Sequence, residues 1–271
     1  MATTLILAGG GKMGGAMLAG WLDRGMAREG ITVIEPDGQT AAALSDSHGV
    51  AVLEAPAGLA ADIRPDVVVI AVKPQNLDEV APAYRRFAGE STVFLSIAAG
   101  KTIAGIQEAL GAEAPIVRCM PNTPAQVGRG ITVACANPLV GDDQRRLCQD
   151  LLEAVGEAAW VEDESLLDAV TAVSGSGPAY VFLLAECMAR AGVEAGLPEE
   201  LSGRLARTTV AGAGELLRQS PEAPAVLRQN VTSPGGTTAA ALEVLMAEDG
   251  AQPLMTRAIA AATRRSRELA G

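Results

Sequence analysis

"LILAGGGKMGGAM", residues 5–17, decides the fold. A short Leu/Ile run breaks into Gly9-x-Gly11-x-x-Gly14, and a helical pattern then runs from Met13 to Leu22. Each glycine has a mechanical task. Gly9 permits a tight turn, Gly11 lets a pyrophosphate approach the backbone, and Gly14 lets helix and strand pack closely. The bare pattern arises by accident in a chain with 30 glycines, and a turn serving only close packing is the plain alternative. Context favours a dinucleotide site. The turn joins a strand to a helix, and an acidic residue, Glu35, ends the next strand-like run about 20 residues on. A carboxylate there accepts hydrogen bonds from an adenosine ribose diol and repels a 2′-phosphate. Neither Pro36 nor Asp37 adds a cation, so the stretch leans toward NADH over NADPH. Lys12, inside the loop, reads equally as a phosphate contact or as a solvated lysine.

Outward from this turn, short apolar runs alternate with amphipathic segments. "TLILAG" at 4–9, "ITVIE" at 31–35, "VVVIAV" at 67–72, "TVFLSI" at 92–97 and "PIVRCM" at 115–120 are strand-like, being β-branched and bounded by Gly or Pro. Helices are expected at 13–22, 39–48, 77–87 and 102–110. Continuous apolar strands alternating with helices imply a parallel sheet covered on both faces. "ITVACA" at 131–136 is a candidate further strand, followed by a helix near 142–155.

From about Leu166 the character changes. "AYVFLLAECMARAGVEAGL" reads as a long helix apolar over most of its surface, and "PEELSGRLARTTVAGAGELLRQ" as a second, with Pro198 in its first turn. Two more helices are expected near 237–248 and 251–269. A segment this small has little core in which to bury an all-round apolar helix. A second subunit is the simplest cover, so an obligate oligomer is expected, with domains 1–162 and 163–271.

Composition bounds the function. Hydrophobic residues at 49% and charged residues at 20% are globular values. A net charge of −11 and 3% aromatics argue against a nucleic-acid partner. Cys119, Cys135, Cys148 and Cys187 form no CxxC pair and read as reduced thiols. The N-terminus lacks a signal-peptide pattern, and no run is read as a membrane span. A soluble cytoplasmic protein is expected.

Three loops fall at strand ends, where ligands bind in open α/β sheets. "AVKPQN" places Lys73 before Pro74, "SIAAG" includes Ala98, and "MPNTPAQVGRG" holds Asn122 between two prolines. Lys73 reads either as a cation in a stiffened loop or as a surface lysine. Asn122 reads as a grip for a carboxamide or as a structural turn. "SGSGPAYVF" from Ser174 and "SPGGTT" from Ser233 each set small residues and a proline before a helix. A helix mouth of the second kind suits an anion. His48, the single histidine, ends a helix before Gly49 and is no catalyst, so a Ser-His-Asp set and a His/Cys metal cluster are both excluded. A reaction needing little proton machinery, such as reduction of an already protonated imine, fits.

"GGGKMG", "AVKPQ", "SIAAG", "MPNTPA", "SGSGPAYVF" and "SPGGTT" occur in an order that resembles the pyrroline-5-carboxylate reductase family over nearly the whole chain. The resemblance implies an α/β fold, a Rossmann-type parallel sheet followed by an all-α dimerisation domain, with dimers that often assemble into decamers. It implies reduction of pyrroline-5-carboxylate to proline by NADPH or NADH. The substrate carboxylate would be held by Gly235, Gly236, Thr237 and Thr238, with the Thr238 hydroxyl close to the ring nitrogen. Val231, Ser176 and Pro178 would wall the ring. The cofactor would lie along Gly9, Gly11, Lys12, Met13, Gly14, Glu35, Ala71, Val72, Lys73, Pro74, Ala98, Met120, Pro121 and Asn122, with Lys73, Pro121 and Asn122 on the nicotinamide side. This chain departs from the family in Lys12, where many relatives carry Asn, and in Glu35-Pro36-Asp37, where many members use NADPH by small polar or basic residues.

A β-hydroxyacid dehydrogenase is one rival, but that class relies on a lysine in its helical domain and residues 164–271 contain none. A non-catalytic dinucleotide-binding protein is another. It would not need an anion-binding helix mouth at a second site.

Overall fold

The computed structural model describes residues 3–270. In chain order the strands are β1 (Leu5–Ala8), β2 (Ile31–Ile34), β3 (Ala51–Leu53), β4 (Val67–Ile70), β5 (Val93–Ser96), β6 (Ile116–Met120), β7 (Gly130–Ala136) and β8 (Gly156–Trp160). The α-helices are α1 (Lys12–Asp23), α2 (Gly38–His48), α3 (Leu77–Val80), α4 (Ile103–Leu110), α5 (Asp142–Glu153), α6 (Leu166–Val170), α7 (Gly177–Glu194), α8 (Glu199–Gln219), α9 (Pro224–Asn230), α10 (Thr237–Leu245) and α11 (Ala251–Ala270).

The strands form one sheet in the order β3-β2-β1-β4-β5-β6-β7-β8. β1 and β4, at the centre, are apolar at every position because both faces are covered. Leu5, Leu7, Val67, Val69 and Leu95 pack with Met17, Trp21 and Leu151 on one face. The alternate residues Ile6, Ala8, Val68, Ile70 and Phe94 pack with Leu77, Tyr84 and Ile106 on the other. Pairing is parallel except between β6 and β7, where Cys119 lies opposite Ala134. The link from Met120 to Gly130 is a single 3₁₀ turn, Thr123–Val127, too short for the crossover that a parallel return requires.

Two expectations need correction. The helix expected over 77–87 is α-helical only to Val80 and continues as a 3₁₀ helix over Ala81–Phe87, because Pro82 has no N–H and crowds the preceding turn. The stretch Leu166–Glu194, with a mean hydropathy of 1.3, is long and apolar enough by length and composition to cross a membrane. Only 11% of its most apolar part is buried.

The chain divides into two compact units. One runs to Gly175 and is rejoined from Thr263; the other is Ser176–Ala262. This division falls later than residue 163 because Leu167 is fully buried with Met120, Val133 and Cys135. At the far end, Ser266 Oγ donates to Asp168 Oδ1 at 2.7 Å, which explains why the close of α11 belongs to the first unit. In the second unit α7 and α8 pack closely. Ser202 Oγ donates to the Ala189 carbonyl at 2.7 Å, and a Cβ on Gly192 would lie 2.1 Å from that hydroxyl.

Candidate active site

The sheet reverses its winding at β1 and β4, and in such sheets the crevice beyond the strand ends takes ligands. A cleft of about 450 Å³ opens there, lined by Gly9, Gly11, Glu35, Ala71, Val72 and Lys73 among others. The glycines fit it for a dinucleotide. Gly9 has φ +100°, and a Cβ on it would lie 2.7 Å from the Ala71 carbonyl oxygen. On Gly14 a Cβ would meet the Gly9 carbonyl oxygen at 2.2 Å, whereas Gly11 has nothing within 4 Å. Gly11 is the N-cap of α1 and no side chain caps that end. Uncapped first-turn N–H groups and the helix dipole suit a pyrophosphate.

Glu35 follows β2 and is held on both oxygens. Oε2 accepts the Gly10 N–H at 2.8 Å and Oε1 accepts the Asp37 N–H at 2.9 Å. Asp37 caps α2 by accepting the Thr40 N–H at 2.8 Å, and hydrogen bonding to Thr40 holds its carboxyl below the usual range. Lys73 is exposed and begins the 3₁₀ turn Pro74–Asn76. Beyond it, Lys101 Nζ contacts both Asp78 carboxylate oxygens at 2.8 Å, tying the loop after β5 to α3.

Other expected residues fall differently. Lys12 is exposed at the first position of α1, Met13 packs against the core, and Ala98 and Met120 are buried. None of these four, nor Gly14, Pro74, Pro121 or Asn122, lines the cleft. Asn122 Oδ1 accepts the Ile131 N–H at 2.9 Å, so its carbonyl serves the turn into β7. Ser176 precedes α7 but forms no side-chain cap, and Pro178 lies in that helix's first turn. Before it, Thr171–Gly175 is a single π turn that leaves the buried Ser174 hydroxyl without a partner among the described residues.

The "SPGG" turn is explicit in the second unit. The Gly236 N–H donates to the Ser233 carbonyl at 3.0 Å, and Gly235, at the third position, has φ +68°. Proline second and a positive-φ glycine third is the type II preference. Gly236 is then the N-cap of α10, again with no capping side chain, and Thr237 and Thr238 are its first residues. Val231 is exposed nearby in sequence, at the end of α9.

Sequence reasoning missed Glu54, Asn76, Glu79 and Tyr84 in the cleft wall. Glu54 follows β3, whose short "VAVLE" run before Pro56 was the available signal. Tyr84 is buried with its hydroxyl unpartnered among the described residues, and burial pushes its phenol up. His48 only lends its carbonyl to Arg28 Nε at 2.8 Å. No group of three or more His, Cys, Asp or Glu suited to a metal occurs among the described residues.

A reversing sheet with a glycine cradle at its switch point, followed by a helical region, defines a Rossmann-type dinucleotide-binding oxidoreductase. Residues 4–100 match the family model described as NADP oxidoreductase coenzyme F420-dependent, and residues 164–269 match pyrroline-5-carboxylate reductase dimerisation. The chain belongs to the pyrroline-5-carboxylate reductase family. It is 41% identical to the Pseudomonas aeruginosa pyrroline-5-carboxylate reductase, covering 97% of this chain and 95% of that one. Identity to the Synechocystis enzyme of the same name is 42%, with 99% of each covered. Among solved structures, a pyrroline-5-carboxylate reductase from Coxiella burnetii superimposes with TM-score 0.93 at 33% identity over 100% of both chains. The Plasmodium falciparum pyrroline carboxylate reductase with NADP bound gives 0.81 at 30% identity, covering 99% of this chain and 98% of that one.

Proposed function

We propose that this chain reduces 1-pyrroline-5-carboxylate to L-proline with NADPH or NADH, the closing step of proline synthesis. The observation that carries the reading is the pairing, in one member of this family, of a pyrophosphate-fit cradle at Gly9–Gly14 with an uncapped "SPGG" helix mouth fit for a carboxylate. A bound nicotinamide supplies the hydride that this chain's own residues do not possess.

The protein's part is orientation. The backbone N–H groups of Gly235, Gly236, Thr237 and Thr238 hold the substrate carboxylate, and the Thr238 hydroxyl stands close to the ring nitrogen. Val231, Ser176 and Pro178 wall the ring. Lys73 and Asn122, with Pro121, steady the nicotinamide end, and Lys12, Met13, Pro74, Ala98 and Met120 border the cofactor. No histidine takes part, because the imine arrives already protonated.

The division of labour falls near residue 163, the second part acting as the dimerisation and substrate-binding domain. Homodimers, assembled further into decamers, work in the cytoplasm without nucleic acid or membrane. A β-hydroxyacid dehydrogenase is disfavoured because all three lysines precede residue 164. The test follows the absorbance of NADH and of NADPH in the presence of 1-pyrroline-5-carboxylate. Substrate-dependent oxidation is expected, with kcat reduced in Thr238→Ala; no oxidation of either cofactor would overturn the proposal.

A further inference from the structure

We infer that this chain selects NADH over NADPH and that Glu35 is the residue that reads the adenosine ribose. The inference rests on the dinucleotide reading of the glycine cradle and adds to it a choice between two cofactors.

The Glu35 carboxylate is oriented before any ligand arrives. Gly10 N–H holds one oxygen at 2.8 Å and Asp37 N–H the other at 2.9 Å. An ionised carboxylate offers about four acceptor positions and no donor. With two taken, the remaining pair suits a vicinal diol, each of whose hydroxyls donates. A 2′-phosphate brings acceptors and negative charge to the same spot, where the nearest charged side chains, Glu35 and Asp37, are both acidic.

The carboxylate is also held close. A Cβ on Gly10 would stand 2.3 Å from Leu44 Cδ1 and 3.4 Å from Glu35 Oε2. Rotating Glu35 aside would surrender two backbone hydrogen bonds, so the site does not open readily for a phosphate.

The neighbourhood has the same sign on the β2 side: Glu54 lines the cleft with Glu35, and Asp37 stands at the start of α2. Among the described residues lining the cleft, Lys73 is the single cation. It follows β4, on the opposite side of β1 from β2. Lys12 is exposed and outside the lining. A phosphate on the 2′ oxygen would therefore face carboxylates, and like-charge juxtaposition is strongly unfavourable.

The test is calorimetric titration of the full-length protein with ADP and with 2′,5′-ADP, fragments that isolate the adenosine end. ADP is expected to bind at least ~10-fold more tightly, and kcat/KM is expected to favour NADH in the same direction. Glu35→Gln keeps a carbonyl for the Gly10 N–H while removing the charge, and it should shrink the ADP preference; Glu35→Ser, which removes the carboxylate altogether, should do the same. Equal or tighter binding of 2′,5′-ADP by the native protein would overturn the inference alone. An ADP preference unchanged in both variants would remove Glu35 from it. Binding of neither nucleotide would overturn the cofactor reading as well.

Discussion

Glu164 Oε1 accepts hydrogen bonds from Arg118 Nη1 and from the Ile103 N–H, each at 2.7 Å. One carboxylate oxygen thus joins β6 to the first residue of α4, where the helix dipole also favours its charge. The pair is asymmetric, because the Arg118 side chain is 5% exposed and that of Glu164 is 29%. Arg118 Nη2 is buried without a partner among the described residues.

Removing Glu164 therefore strands a buried cation, whereas removing Arg118 leaves an anion that water partly reaches. Glu164→Ala is expected to cost about 3 kcal/mol, within the range for breaking a buried pair. Arg118→Met should cost less. Urea midpoints for the two variants check the order, and a larger loss in Arg118→Met would contradict it.

The cradle glycines predict a separation of folding from binding. Gly9→Ala and Gly14→Ala would each force a Cβ against a backbone carbonyl oxygen, at 2.7 Å and 2.2 Å, and both should lower the thermal midpoint. Gly11 has φ −63° and open space around it. Gly11→Ala should keep the native midpoint while weakening ADP binding ~10-fold or more, because the added methyl stands where a pyrophosphate must approach the backbone. Thermal melts beside calorimetric titration separate the two effects.

How much of this was legible in the sequence depended on whether the signal was local. β1, β2, β4, β5 and β6 read clearly because double-sided burial makes them mainly apolar runs, interrupted only by Thr32, Ser96 and Arg118. β3 and β8 escaped because their residues are exposed or half-buried, and β8 reads only Gly-Glu-Ala-Ala-Trp. Helix α9 is seven residues and has no buried face, so its pattern is weak. In the site, the glycine turn and Glu35 were readable because strand, turn and helix are contiguous. Glu54 reaches the same cleft only through pairing of β3 on β2, and Glu79 only through the turn that begins at Pro74. Neither relation has a fixed spacing in the chain.

The buried thiols predict a decline in stability at high pH. Burial pushes the Cys148 thiol from 9.0 up to about 12. Burial pushes Cys119 well above its usual value too, with Cys148 and Cys135 adding to the shift. The unfolded chain releases these protons near pH 9.0 while the folded chain retains that of Cys148 to about 12. Their contribution is whole below pH 9 and is lost as the pH rises toward 12, by up to ~1.4 kcal/mol per pH unit for each thiol. Urea midpoints at pH 8 and pH 10 check the fall, and Cys148→Ala should flatten it. A midpoint insensitive to pH in this window would contradict the account.

Helix α7 leaves its apolar surface open in the single chain. No residue of that helix is buried within the chain, and Phe182, Leu183 and Leu184 are 68%, 57% and 54% exposed. Water is a poor neighbour for such a surface, which leaves a second subunit or a lipid bilayer. The match of residues 164–269 to the family's dimerisation region favours the subunit. Phe182→Glu would set a charge into the apolar face, and a central aromatic anchor carries at least ~2 kcal/mol of association. The native protein should elute at the mass of a dimer or a multiple of one, without sedimenting with lipid vesicles, and Phe182→Glu should shift to monomer. Because the glycine cradle belongs wholly to the first unit, the variant should still bind ADP while losing imine reduction, which needs the helical region ordered. Native protein that stays monomeric, or that pellets with vesicles, would assign the apolar face to something other than a second copy of this chain.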